Sequence, residues 1–202
     1  RFLLSHKRRL FFAGIRDSTD IDAEARVDVT GFSASGQVTP HRVSATFYLG
    51  GSDGSGPITG ATILRDQLVF FKRNSIWKMS LGAGAIIDVE QVKTHDDIGC
   101  VAPNTVKNIG NACIFLSDKG FYLFDGINLR LISEPIRRDL ENNTNISEWQ
   151  NAYAIYYKAK NQYRVSLASS GQTFKDLTYI FDMNITTQSP FGNWFPPQTF
   201  FR

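Results

Sequence analysis

Long apolar runs are missing from this chain of 202 residues. The longest uncharged stretch, Met183 to Phe201, carries three Pro, one Gly and several amides, so it cannot form an apolar membrane helix. Cysteine is scarce, and two in a chain this long exclude a disulfide scaffold. Charge of one sign is missing too: 22 Lys+Arg stand against 19 Asp+Glu, a formal net charge of +3. That balance gives nucleic-acid binding weak support. The denser basic groups, Lys7-Arg8-Arg9 and Arg137-Arg138, read as solvated loops or subunit contacts. A secretory signal pattern is absent, because only Leu10-Phe11-Phe12-Ala13 separates the basic stretch His6-Lys7-Arg8-Arg9 from Gly14. Position 1 is Arg, and the chain stops soon after Pro196-Pro197. These ends lead us to expect a piece cut from, or ordered within, a longer protein.

Aromatic residues are abundant at 13%, with 16 Phe, and hydrophobic residues reach 42%. That content excludes disorder and supplies a substantial core. It is distributed in short runs of β-branched and aromatic residues separated by Gly, Asn, Asp and Ser, the signature of hairpins. Arg9 to Ala13 is one run. Leu68 to Phe71 pairs with Ser75 to Met79 around Lys72-Arg73-Asn74. Cys113 to Leu116 pairs with Phe121 to Phe124, and Gln162 to Leu167 with Thr178 to Phe181. The single helical signal runs from Ser133 to Asn142. Ser133 is its expected cap, Glu134 and Pro135 suit the first turn, and Ile132, Ile136 and Leu140 share a face. This short helix is expected on a sheet edge.

The hairpins repeat. Leu68, Ile114 and Tyr163 open successive units 46 and 49 positions apart, and Leu10 opens a weaker copy 58 positions before Leu68, with room for an insertion. Propeller blades recur at roughly 40–50 residues. The expected fold is therefore all-β: one β-propeller-like domain over residues 1–202, partial or interrupted, with about four blades. A β-sandwich is the alternative. No blade signature such as Trp-Asp occurs. Ile58 to Ile63, Gly99 to Ile109 and Tyr153 to Tyr157 precede the three hairpins, as inner strands of blades.

Chemical motifs are weak. The acids of Asp17 to Glu24 fail the calcium-loop pattern, since position six from Asp20 is Ala25 and position twelve is Gly31. Ser75-Ile76-Trp77-Lys78 has the spacing of serine acylases, but on a strand residues three apart face opposite ways. His6, His41 and His95 have no metal-ligand spacing, and His95-Asp96-Asp97 reads as a loop. Gly50 to Pro57 lacks the Lys and helix of a phosphate loop. Cys100 and Cys113 read as buried thiols of adjacent strands, and three Asn-x-Ser/Thr triplets carry no meaning without a secretory signal. No enzyme, metal or cofactor is expected.

The succession Ile58-Thr59-Gly60, Arg65 to Phe71, Ser75-Ile76-Trp77, Gly99 to Thr105, Ile114 to Ser117, Gly120 to Gly126, Ile132 to Ile136, Tyr163-Arg164-Val165 and Tyr179 to Asp182, closing on Trp194, resembles the β-propeller tail hub and nozzle proteins of short-tailed bacteriophages, including the packaged-DNA stabilisation proteins. The opening His6 to Gly14 is similar as well. The resemblance spans most of positions 6–194 but contains no catalytic motif, and Ser18 to Gly56 has no counterpart in it. It implies a virion structural protein, made in the host bacterial cytoplasm and placed in the tail. It would form a homo-oligomeric ring, six-fold in many such proteins, below the portal or adaptor, with viral DNA passing through without sequence-specific binding and with no membrane contact. Trp149, Phe191, Trp194 and Phe195 are then candidate interface anchors, or else they pack one blade on the next. The alternative function is a glycan-binding or glycosidase-type propeller, with Asp66, Asp118 and Asp125 as candidate carboxylates against a plain role as turn makers.

Overall fold

The structure is a computed structural model that describes residues 2–7, 9–15, 23–32, 38–50, 56–82, 87–92, 97–184 and 192–199. The protein is all-β, with one short α-helix among the described residues. Sixteen described strands form four four-stranded sheets. In each sheet, neighbours in space are neighbours in sequence and every pairing is antiparallel. Sequential antiparallel pairing needs only short connections, which is why hairpin signals dominate the sequence. The chain divides into two compact units, Arg1–Gly99 and Cys100–Arg202, with two sheets in each.

In the first unit, one sheet is β1 (Phe2–His6), β2 (Arg9–Ala13), β3 (Arg26–Phe32) and β4 (Val38–Tyr48). The other is β5 (Gly60–Leu64), β6 (Gln67–Phe71), β7 (Ile76–Leu81) and β8 (Ile87–Val92). Residues alternate faces along a strand, so one face of each sheet collects the apolar set. Phe11, Ala13, Val27 and Val29 from the first sheet meet Leu68, Phe70 and Met79 from the second in one buried cluster. Strands β3 and β4 arise from the segment that the resemblance leaves unmatched. Their pattern is legible afterwards: Val27 and Val29 point to the core between Asp28 and Thr30. Gly99 sits where a Cβ would lie 2.1 Å from the Lys72 carbonyl oxygen, so this close backbone approach requires glycine. The Lys72 side chain is buried, and its ammonium donates to the carbonyls of Leu49 at 2.9 Å and Gly50 at 3.1 Å. Those bonds are what make burial of a lysine tolerable.

In the second unit, one sheet is β9 (Lys107–Asn108), β10 (Cys113–Ser117), β11 (Gly120–Phe124) and β12 (Leu129–Leu131). The other is β13 (Tyr153–Tyr157), β14 (Gln162–Ala168), β15 (Lys175–Asp182) and β16 (Asn193–Thr199). Ile114, Leu116 and Phe121 from the first join Tyr163, Val165, Tyr179 and Phe181 from the second in the core. Thr105 is a buried hub of this unit. Its hydroxyl donates to the Ala102 carbonyl at 2.7 Å and accepts from the Leu116 N–H at 3.0 Å, while its carbonyl accepts the Tyr163 hydroxyl at 2.9 Å.

The predicted helix forms as a 3₁₀ turn, Glu134–Ile136, followed by α1 (Arg137–Asn143). Leu140 and Ile132 are buried, as their shared face demands. Two details differ from expectation. Ser133 does not cap; its hydroxyl accepts the Phe121 N–H at 3.0 Å, fastening the segment to β11. The helix is also tied to an interior strand, because the Tyr179 hydroxyl of β15 donates to Asp139 at 2.6 Å. The helix ends at Thr144, whose hydroxyl donates to the Leu140 carbonyl at 2.6 Å and accepts the Trp149 indole N–H at 2.9 Å.

The repeat read from the sequence has a structural meaning. Leu10, Leu68, Ile114 and Tyr163 all lie in the second strand of their sheets, β2, β6, β10 and β14. The three hairpins following Leu68, Ile114 and Tyr163 are the second and third strands, and the preceding segments supply the first strands β5, β9 and β13.

Candidate functional site

The four predicted interface aromatics separate into different roles. Trp149 is 6% exposed, belongs to the core of the second unit and uses its indole N–H internally. Trp194, on β16, is half-buried. Its ring centroid lies 5.2 Å from Phe121, 5.0 Å from Phe181 and 6.4 Å from Tyr179, and its N–H donates to the Ile132 carbonyl at 2.8 Å. Trp194 thereby binds the last strand to both sheets of its unit. Phe191 lies outside the described residues. Phe195 is 43% exposed.

Phe195 is not isolated. The register places Ile155, Arg164, Ile180 and Phe195 in one row across β13 to β16. This is the face opposite the core, and Tyr153, Ile155 and Tyr157 are exposed on the same side of β13. Two cations cover the rings: Lys107 Nζ lies 5.2 Å from the Tyr153 centroid and the Arg164 guanidinium 4.8 Å from that of Tyr157. The centre of the face is polar and internally bonded. Arg164 donates to Gln162 at 2.8 Å, and Gln162 donates to Asp182 at 3.1 Å. The first sheet of the first unit also turns a mixed face away from its core, with the row Leu3, Phe12, Asp28 and Thr46. There Leu3 and Phe12 are exposed, and Asp28 accepts from Thr46 at 2.9 Å and pairs with Arg26 at 3.2 Å. Neither exposed tyrosine of β13 was singled out from sequence. The signal was present as the alternation Tyr153-Ala154-Ile155-Tyr156-Tyr157, with Ala154 facing inward.

Each candidate carboxylate sits in or beside a turn, Asp66 in the first unit and Asp118 and Asp125 in the second. Asp66 sits in the two-residue turn between β5 and β6, where Arg65 and Asp66 both have positive φ, 47° and 66°. Left-handed geometry at both positions matches the twist of a tight hairpin. The Asp66 carboxylate meets Lys7 Nζ at 2.5 Å and His6 Nε2 at 3.3 Å, joining two turns of the first unit. The hydrogen bond from Lys7 holds its pKa below the usual carboxylate range. Asp125 makes an Asx turn, accepting the N–H of Ile127 at 2.8 Å and of Asn128 at 2.7 Å. Asp118 lies at the β10–β11 tip and accepts from the Ser117 hydroxyl at 3.1 Å. The whole of β11 separates Asp118 from Asp125. At about 3.3 Å per residue that is at least roughly 13 Å, beyond the ~5–10 Å used by paired glycosidase carboxylates.

The remaining motifs are structural where they are described. The Trp77 indole donates to the Ser75 hydroxyl at 3.0 Å, and Lys78 pairs with Glu90 across β7 and β8 at 3.3 Å. Cys100 and Cys113 are buried thiols rather than a disulfide. Cys113 is on β10, whereas Cys100 precedes the strands of its sheet, so they do not occupy adjacent strands as expected. Burial pushes the Cys100 thiol up to about 12 and raises that of Cys113 too. His95, Asp96, Asp17 to Asp22 and Gly51 to Ser55 lie outside the described residues. Among the described residues no group of His, Cys, Asp and Glu could hold a metal ion, and no helix is long and apolar enough to cross a membrane.

One cavity of about 370 Å3 lies in the second unit beside α1. Asp118 and Trp149 both line it, together with Ser133, Arg137 and Glu141. Arg137 donates to Glu141 at 3.1 Å, and this bond, with Glu134 close by, raises the guanidinium pKa further. Comparison with protein-family models and with curated proteins finds no match to this chain.

Proposed function

We propose that the chain is a virion structural protein, a subunit of a bacteriophage tail hub or nozzle ring below the portal or adaptor, lining or closing the DNA exit channel. The four sheets are read as blades of a β-propeller. One observation carries this reading: four consecutive four-stranded meanders, with the apolar start of each sequence repeat in the second strand. Consecutive meanders at this spacing are the blade plan. The succession of motifs shared with tail hub and nozzle proteins then supplies the biological setting.

A ring subunit needs a rigid body and a separate contact surface. Trp194 and Trp149 serve the body, since their indoles bond within the second unit. The contact with a second copy runs over the outer face of the last sheet, through Tyr153, Ile155, Tyr157 and Phe195, all at least 39% exposed. Exposed aromatic residues, with Arg164 beside them, are of the types enriched at protein interfaces. The channel carries DNA without reading it, consistent with a net charge of only +3. Light scattering on the full reading frame, alone and with portal or adaptor, tests the proposal. A ring, or polymerisation on the adaptor, is expected. A monomer in both conditions, with no tail density in virion images, contradicts it.

A further inference from the structure

We propose that the cavity beside α1 in the second unit is a saccharide-binding site. Its volume of about 370 Å3 falls within the size range of small-molecule sites. Its walls divide by chemistry. Tyr122, Leu140 and Trp149 give an apolar wall with two aromatic rings. Asp118, Lys119, Arg137 and Glu141 give a rim of two acids and two bases. With no net charge, this rim selects neither an anion nor a cation. It nevertheless presents ionised donors and acceptors, which make the stronger hydrogen bonds.

The floor adds a further donor. Ser133 lines the cavity and is 2% exposed. Its oxygen accepts the Phe121 N–H at 3.0 Å, and among the described residues its own hydroxyl proton has no acceptor. Gly120 makes room for this hydroxyl: its φ is +119°, and a Cβ there would lie 2.3 Å from Ser133 Oγ. Arg137 and Glu141, both exposed and both lining the cavity, are joined by a hydrogen bond of 3.1 Å. A neutral ligand with an apolar C–H face and a belt of hydroxyls, each both donor and acceptor, answers all these features together. A pyranose is that ligand. The site requires no catalytic carboxylate pair and is independent of the tail assignment.

Titration of the chain with glucose, N-acetylglucosamine and cellobiose, followed by heteronuclear NMR, tests the site, with hexanoate and hexylammonium as singly charged comparators. At least one sugar is expected to shift the Lys119 and Gly120 amides and the Trp149 indole resonance saturably in the millimolar range. Glu141→Gln and Lys119→Ala change exposed side chains. Each should weaken binding by about threefold to tenfold, the worth of one hydrogen bond, with the remaining spectrum unchanged. The proposal is overturned by no saturable shift with any of the three sugars, by undiminished binding in both variants, or by tighter binding of either comparator.

Discussion

Trp194 distinguishes a packing role from an interface role, and the structure sets the expected magnitude. Its ring touches Phe121, Phe181 and Tyr179, and its N–H bonds the Ile132 carbonyl at 2.8 Å. Truncating a fully buried Trp to Ala costs about 3–5 kcal/mol. Trp194 is half-buried, so Trp194→Ala should cost about 2–3 kcal/mol, a fall of roughly 4–12 °C in Tm for a chain of this size. Trp194→Phe keeps an aromatic ring but loses the indole bond, for about 1 kcal/mol. Urea unfolding followed by circular dichroism measures both. Sedimentation velocity on the same samples reads self-association. If Trp194→Ala unfolds like wild type yet no longer self-associates, the packing assignment is refuted and the residue acts across a subunit boundary.

Phe195→Ser should do the reverse, changing stability by less than about 0.5 kcal/mol while abolishing self-association in sedimentation. Thr105→Val leaves the Leu116 N–H without its acceptor, and about 1–3 kcal/mol should be lost in urea titrations despite the matched shape. Gly120→Ala, which drives a Cβ into Ser133 Oγ, should destabilise far more than Gly110→Ala, where φ is also positive but the space is open, as comparative melting would show. With its thiol raised to about 12 by burial, Cys100 should resist iodoacetamide in native protein and label only on unfolding, with Cys113 behaving alike by mass spectrometry. Asp66, Asp176 and Asp182 all have depressed pKa values. Lys7 bonds the first, and for the other two hydrogen bonds outweigh burial. Their stabilisation is present above the unfolded carboxylate value of about 3.9 and is lost as pH falls through the folded values. An acid titration of Asp66→Asn should therefore show a shallower loss of stability at low pH than wild type.

The sequence was most readable where apolar residues cluster without interruption. Leu68 to Phe71 and Cys113 to Leu116 are buried on both faces of their strands, so the runs are continuous and the repeat stands out. Strands β3 and β4 carry the same information in a quieter form. Asp28, Thr30 and Thr46 alternate with core residues because that sheet turns a mixed face away from its core, and Gly31, Gly36 and Pro40 break the pattern further. The aromatics illustrate a different limit. A core and an interface both desolvate rings, so residue type alone does not separate Trp149, inside the unit, from Phe195, on its surface. Ser133 is a third case. Its place before Glu134-Pro135 suits a cap, but the hydroxyl serves β11, a partner twelve residues earlier in the chain. The cavity wall likewise combines residues from Asp118 to Trp149, which only tertiary packing brings together.

The most direct test of the proposed tail role is electron cryo-microscopy of virions of the phage that the proposal takes to encode this chain, with a small tag fused to it. The account predicts a ring of density below the portal, carrying the tag in symmetric copies, into which the four-stranded meanders fit as blades around the DNA path. Tagged protein absent from the tail, or present as an isolated copy away from the channel, would contradict it.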